Sequence, residues 1–176
     1  MPGPLEELWW SVLREPSEER RMELAKLAAA GLEEALEEIA KRVGGELVPD
    51  TVIALRSIEV VLAALALRRA QGDERPLRLL VPRDPVPGWM PLRMLVEELA
   101  ARGLVHVYET PVVPRIRPSA RDIVERAARI LRGFSARIVD ITDSPPHLAV
   151  SVVRSGAWRL TMLVVLEHMA VFQRVL

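Results

Sequence analysis

The sequence predicts an α/β protein built on a mainly parallel sheet. From residue 46 onward, short apolar runs rich in β-branched residues alternate with helical patterns. Helices between strands imply crossover connections and parallel pairing. Residues 1–45, in contrast, read as helix throughout. The expected architecture is Rossmann-like: a doubly wound sheet with helices on both faces (46–176), preceded by a helical N-terminal extension (1–45).

The elements follow in order. Leu5 to Leu13 carry apolar residues on one face, and Pro16-Ser17 ends that helix and caps the next. Leu24, Ala28, Leu32, Leu36, Ile39 and Val43 then form one apolar stripe, which predicts a second helix reaching Val43 and closed by Gly44-Gly45. A stripe of that length must bury itself on the main domain or on a partner. Thr51–Leu55 is a short apolar, β-branched run, the mark of a strand buried on both faces. A helix over Ile58–Arg69 follows, although Thr51–Arg69 also permits one long helix. Further strands are expected at Leu77–Val81, Val105–Glu109 and Ala136–Ile141, with helices at Leu92–Ala101, Ser119–Leu131 and Pro146–Arg154. Gly103, Gly133 and Gly156 close those helices. Trp158–Leu166 and Met169–Val175 read as a terminal hairpin.

Composition excludes several classes. Lys and Arg total 24 and Asp and Glu total 24, so no surplus of positive charge points to duplex nucleic acid or an anionic membrane. There is no cysteine, which removes disulfides, thiolate metal sites and a cysteine nucleophile. His106, His147 and His168 show no metal-ligand spacing, and no metal or cofactor is expected. The start Met1-Pro2-Gly3-Pro4 does not have the pattern of a secretory signal, and no apolar run is long enough to span a bilayer, so a cytoplasmic location is expected. The absence of Asn, only two Gln and two Lys, and 14 prolines fit a protein from a hot environment.

Ligands of doubly wound sheets lie beyond the carboxyl ends of the strands. Arg56-Ser57 follow the first strand of the domain, Arg83-Asp84 the second, and Thr142-Asp143-Ser144 the fourth, with His147 opening the next helix. Hydroxyls and arginines beside helix N-termini suit phosphate oxygens. The same serines also serve as helix caps, and the same charges as surface pairs. No G-x-G-x-x-G, P-loop or nucleophile-elbow motif is present. His106 falls inside a strand, where a structural, buried role is expected.

Thr51–Leu65 (TVIALRSIEVVLAAL) resembles the opening of CRISPR-associated Rossmann-fold (CARF) domains, and Ile138–Thr142 (IVDIT) resembles the DITGGTK signature after their fourth strand. The resemblance covers residues 46–176. It implies a stand-alone CARF-like protein of a CRISPR antiviral defence system, a homodimer that binds cyclic oligoadenylate with or without cleaving the ring. Arg56, Ser57, Arg83, Thr142, Asp143 and Ser144 would then form the ligand rim, with Ser57 and His147 as catalytic candidates. The match is incomplete: Asp143-Ser144-Pro145-Pro146 stands where the family has Gly-Gly-Thr-Lys. Asp143 would repel phosphate and the prolines lack N–H donors. Arg102 and His106 are one residue too close for the ribonuclease motif of the commonest attached domain. Two other readings stay open. One is a non-catalytic interaction subunit with a decayed ligand site, docking a protein partner through its N-terminal helices and Trp9-Trp10. The other is an unrelated nucleotide- or sugar-phosphate-binding enzyme.

Overall fold

In the computed structural model the residues described are 8, 11–12, 14–41, 43–45, 48–55, 57–83, 90–110, 121–122, 125, 129, 132–133, 136–144, 149, 159–166 and 169–174. The elements are α1 (Glu18–Ala30), α2 (Leu32–Ala40), β1 (Val43–Gly45), β2 (Thr51–Ala54), α3 (Ile58–Ala70), β3 (Leu77–Pro82), α4 (Met90–Ala101), β4 (Val105–Thr110), β5 (Ile138–Asp143), β6 (Arg159–Leu166) and β7 (Met169–Arg174). The chain is an α/β protein. Among the described residues, seven strands form one sheet in the order β1-β7-β6-β5-β2-β3-β4.

β2 lies in the middle of the sheet, with its one polar side chain, Thr51, buried and its hydroxyl donated to Asp50. All four of its residues are buried, and it pairs in parallel with β3 on one side and β5 on the other. β4 extends the parallel set beyond β3, and β6 extends it beyond β5. β7 then turns back antiparallel on β6, as the hairpin reading expects. The alternative of one helix over Thr51–Arg69 is overturned, since Thr51–Ala54 is a strand and Ser57 starts the helix anew.

Two features of the N-terminal segment depart from expectation. The helix does not run unbroken to Val43: it stops at Gly31, whose N–H bonds back to the Leu27 carbonyl, and restarts at Leu32. Val43–Gly45 is not a helix end but a strand, β1, paired in parallel with Ala170–Phe172 of β7. Gly-Gly is a poor strand former on its own, and the ladder offered by β7 overrides that preference.

The core shows why the N-terminal helices are needed. α3 is buried along nearly all sides, from Ile58 and Val61 to Leu65 and Leu67. A helix that is apolar all round needs cover on its outer face as well as on the sheet. α2 supplies that cover: Leu32 and Leu36 are fully buried in the same cluster as Ile58, Val61 and Leu65. Burying such leucines stabilises by about 1.5–3 kcal/mol each. Polar ties fix the arrangement. Glu33 accepts from Arg69 of α3 at 2.7 Å and faces Arg102 at 3.8 Å. Arg102 also donates to the Ala29 carbonyl at 2.8 Å. Leu92, Leu95 and Leu99 of α4 enter the same core cluster, and Gly103 follows at φ 72°, a conformation that glycine adopts without cost.

Candidate functional site

The strand order reverses between β2 and β5: the chain leaves β2 toward β3 on one side and returns to β5 on the other. Crevices at such a reversal are where open α/β sheets hold ligands. The carboxyl ends of these two strands therefore form the candidate site. β2 ends at Ala54, and Leu55 and Ser57 lead into α3. β5 ends at Thr142-Asp143, followed by a turn in which Ser144 N–H bonds to the Ile141 carbonyl at 3.1 Å.

The register here is irregular. Thr51 pairs with Val139 and Val52 with Asp140, but Ala54 pairs with Asp143. β5 thus carries one extra residue opposite β2. A bulge of this kind redirects a side chain at a sheet end. Here it sets Asp143 level with the exit of β2. One carboxylate oxygen of Asp143, Oδ2, accepts from Leu55 N at 2.7 Å and from Ser57 N at 2.6 Å. Both are short, as charge-assisted bonds are.

Ser57 takes a second part in this corner. Its Oγ accepts from Val60 N at 3.2 Å, which makes it the N-cap of α3. Thr142 is engaged one step back along β5. Its N–H bonds to Asp140 Oδ1 at 3.1 Å and its hydroxyl donates to Asp140 Oδ2 at 3.2 Å. Asp140 itself is fully buried. With its single proton committed to Asp140, the Thr142 hydroxyl meets anything else only as an acceptor.

The structure thus brings Ser57, Thr142, Asp143 and Ser144 to one crevice. Arg83 lies at the end of β3, on the outer side of β2, exposed and 4.0 Å from Glu109 at the end of β4. Arg56 and His147 lie outside the described residues, as do Asp84, His168 and Trp9-Trp10. His106 corrects the sequence reading: it is exposed, because β4 is the last strand of the sheet. Arg102, its companion in the near-miss nuclease motif, is bound up with Glu98, Glu33 and the Ala29 carbonyl.

Sequence reasoning missed two participants. Asp140 reads as one more residue of an apolar strand, and only the fold shows it buried behind Thr142. The backbone N–H of Leu55 carries no side-chain signal at all. Asp143 was expected to stand against phosphate as a repelling charge. Instead its carboxylate accepts from the Leu55 and Ser57 amides at the end of β2.

The other end of the β2–β5 pair is clasped in a parallel way. Asp50 Oδ2 accepts from Arg137 N at 2.9 Å and Ile138 N at 3.2 Å, while Oδ1 accepts from the Thr51 hydroxyl at 2.7 Å. Two clefts lie away from the crevice. One is lined by Ala25, Ala29, Met94 and Arg102 between α1 and α4, the other by Leu36, Leu65, Arg68 and Arg75. Neither holds a residue from the ends of β2 or β5, so the crevice remains the better candidate on chemistry. Among the described residues no group of three or more acidic or histidine side chains could hold a metal, and no helix is long and apolar enough to cross a membrane.

These observations define an α/β protein with an acid-clasped crevice at the reversal of its strand order. Comparison with protein-family models, curated proteins and solved structures finds no match.

Proposed function

We propose that this chain is a stand-alone CARF-like protein of a CRISPR defence system, a homodimer that binds cyclic oligoadenylate at the crevice between β2 and β5. The strand run β4-β3-β2-β5-β6-β7 supports a Rossmann-like reading. Counted from β2, it is the 3-2-1-4-5-6 order of doubly wound nucleotide-binding sheets, with the last strand reversed. The observation that carries the functional reading is the meeting of two segments 86 residues apart. Ser57, in the first stretch that resembles the family, hydrogen-bonds Asp143, just beyond the second. Arg56, Ser57, Thr142, Asp143 and Ser144 are the proposed ligand contacts, with Arg83 reaching from the neighbouring strand end. The dimer interface would include the helix after Thr142, with Leu148, Val152 and Val153 on its apolar face.

If the ring is cleaved, the protein needs only to hold a ribose 2′-hydroxyl in line with the scissile phosphate. Ser57 and Arg56 would orient and neutralise that phosphate, and His147 would serve as the acid. The second reading is an interaction subunit with a closed site, and the Asp143 carboxylate on the two amides favours it.

Titration calorimetry with rings of three to six adenylates, on the wild type and on Arg56→Ala and Asp143→Ala, separates the two. The sensor reading expects binding that weakens with salt, and a loss of about 1.5–3 kcal/mol for Arg56→Ala. No heat from any ring, with the wild type and with Asp143→Ala alike, overturns it. Light scattering at tens of micromolar protein should give a dimer mass, and a strictly monomeric mass removes the two-fold pocket.

A further inference from the structure

We propose that the cleft beside the C-terminal end of α3 binds a small carboxylic acid, whose carboxylate answers the buried guanidinium of Arg68 and whose apolar tail lies along Leu36 and Leu65. The cleft is at the end of the sheet away from the β2–β5 crevice, where Arg68 reaches the Pro49 carbonyl ahead of β2. The proposal is independent of the reading above.

The first observation is an orphaned donor. The Arg68 side chain is 4% exposed. Its Nη1 donates to the Pro49 carbonyl, and its Nη2 donates to the Arg75 carbonyl and faces Asp73. Its Nε–H meets nothing. Among the described residues, Nε is the one buried side-chain nitrogen or oxygen without a hydrogen-bond partner. An unanswered donor on a buried cation is costly, so an acceptor from outside the chain gains by reaching it. The nearby turn does not supply one. The last carbonyls of α3, at Leu67, Arg68 and Arg69, already accept from the N–H groups of Gln71, Gly72 and Asp73.

The second observation is room for that acceptor. Arg68 lines a cleft of about 300 Å³, together with Leu36 and Leu65 on its apolar side. That volume is at the small end of the range for ligand sites.

The charges around the cleft select the ligand. Asp73 alone stands between two guanidinium groups, 3.1 Å from Arg68 and 2.9 Å from Arg75. One carboxylate for two cations leaves a surplus of one positive charge, which suits a monoanion. Arg75 is 82% exposed and spends Nε and Nη2 on Asp73. Its Nη1 is left to hold the second oxygen of a ligand carboxylate whose first oxygen takes the Arg68 Nε–H. Glu74, exposed on the same cleft, weighs against a dianion such as phosphate. The leucine wall favours an acid with a short apolar tail over a fully polar one.

The test follows the Nε–Hε resonance of Arg68 by NMR in the full-length protein. The probe is sodium isovalerate, whose branched tail matches a leucine side chain. Sodium acetate, phosphate and chloride are compared at equal ionic strength. Isovalerate should move the Arg68 resonance downfield and saturate at roughly millimolar concentration. Acetate should bind about tenfold more weakly, having lost the apolar tail. Arg68 itself is left unchanged, because its other bonds hold the fold. Glu74→Gln should bind isovalerate about two- to fivefold more tightly, the scale of one exposed charge pair. Arg75→Gln should bind it about tenfold more weakly, the scale of one charge-assisted hydrogen bond. An Arg68 resonance that isovalerate does not move, or moves no further than chloride does, overturns the site and leaves Nε to a resident water. Phosphate binding more tightly than isovalerate overturns the choice of a monocarboxylate. Tighter binding of the blocked dipeptide acetyl-glycyl-leucine overturns the free acid in favour of the carboxylate at a chain end.

Discussion

Arg68 is the residue with most at stake. It stands near the end of α3, buried to 4% exposure, where its guanidinium donates to the Pro49 carbonyl at 3.2 Å and the Arg75 carbonyl at 2.8 Å. Asp73 faces it at 3.1 Å. Burial pulls its pKa below the ordinary arginine value and Asp73 opposes that pull, so the cation stays in place beside its partner. One fork thus ties the approach to β2 to the approach to β3. Arg68→Ala should cost about 2–4 kcal/mol in urea denaturation, because it strands two carbonyls and breaks a buried pair. Arg68→Lys should recover little, since an ammonium lacks the planar fork. A loss under about 0.5 kcal/mol for Arg68→Ala, the scale of an ordinary surface change, contradicts this account. Asp73 carries the pH dependence. Its hydrogen bond from the Arg75 side chain, followed by that from the Arg75 backbone and the charge of Arg68, lowers its pKa from 3.8 to about 2. A depressed folded pKa means stability present above the unfolded value and lost as pH falls through the folded one. Stability should therefore decline between about pH 4 and pH 2, and Asp73→Asn should flatten that part of the curve. An unchanged acid limb in the variant would assign the decline to other carboxylates.

At the scale of elements, the β2–β5 pair is a parallel couple held by carboxylates at both ends. Parallel neighbours so distant in sequence must be brought together without help from a turn, and the side chains of Asp50 and Asp143 supply specific ties across that distance. Asp50→Ala removes the acceptor of two backbone amides and one hydroxyl. It should cost about 2–4 kcal/mol, given the value of hydrogen bonds to charged groups. Asp50→Asn should cost less, because its oxygen still accepts. Equal losses for the two variants would show that acceptance at this point matters little. α3 is the other decisive element. Ser57 caps it, and Ser57→Ala should lower stability by about 1 kcal/mol. That variant keeps the Ser57 N–H on Asp143, so the amide resonance of residue 57 should stay near its wild-type position.

Across the whole molecule the N-terminal segment acts as a structural layer. Ala28, Leu32 and Leu36 join the main core cluster, and β1 completes one edge of the sheet. Leu36→Ala should therefore cost about 2–5 kcal/mol, the range for a leucine truncated in a packed core. Amides of residues 24–40 should exchange slowly with solvent in the intact protein. Rapid exchange throughout that stretch would mean that the helices open independently of the sheet. Met22 and Leu27 on α1 are exposed, while Val12, nearer the start of the chain, is buried in the same core cluster.

The sequence by itself determined the α/β class and the position of most elements. β2 and β3 are legible because strands buried on both faces are mostly apolar, with Thr51 and Arg78 as their polar residues. α3 and α4 are legible because serine, proline and glycine stand at their ends. The rim at the strand ends was legible for the same reason, since Ser57 and Thr142-Asp143-Ser144 sit where apolar runs stop. Local pattern could not reveal β1. Gly44 and Gly45 have no side chain to declare a strand, and only the β7 ladder makes them one. His106 was misread because its neighbours look like a core strand, while exposure depends on β4 being last in the sheet. The break at Gly31 was visible in the sequence but outweighed by an apolar stripe that continues across it. Asp143 shows the limit most clearly. Its charge is written in the sequence, but the partners of that charge are backbone amides 86 and 88 residues away. Hydrogen bonds between side chain and main chain this far apart in sequence, unlike a local helix cap, leave no mark on residue type, so tertiary structure alone decides which groups meet.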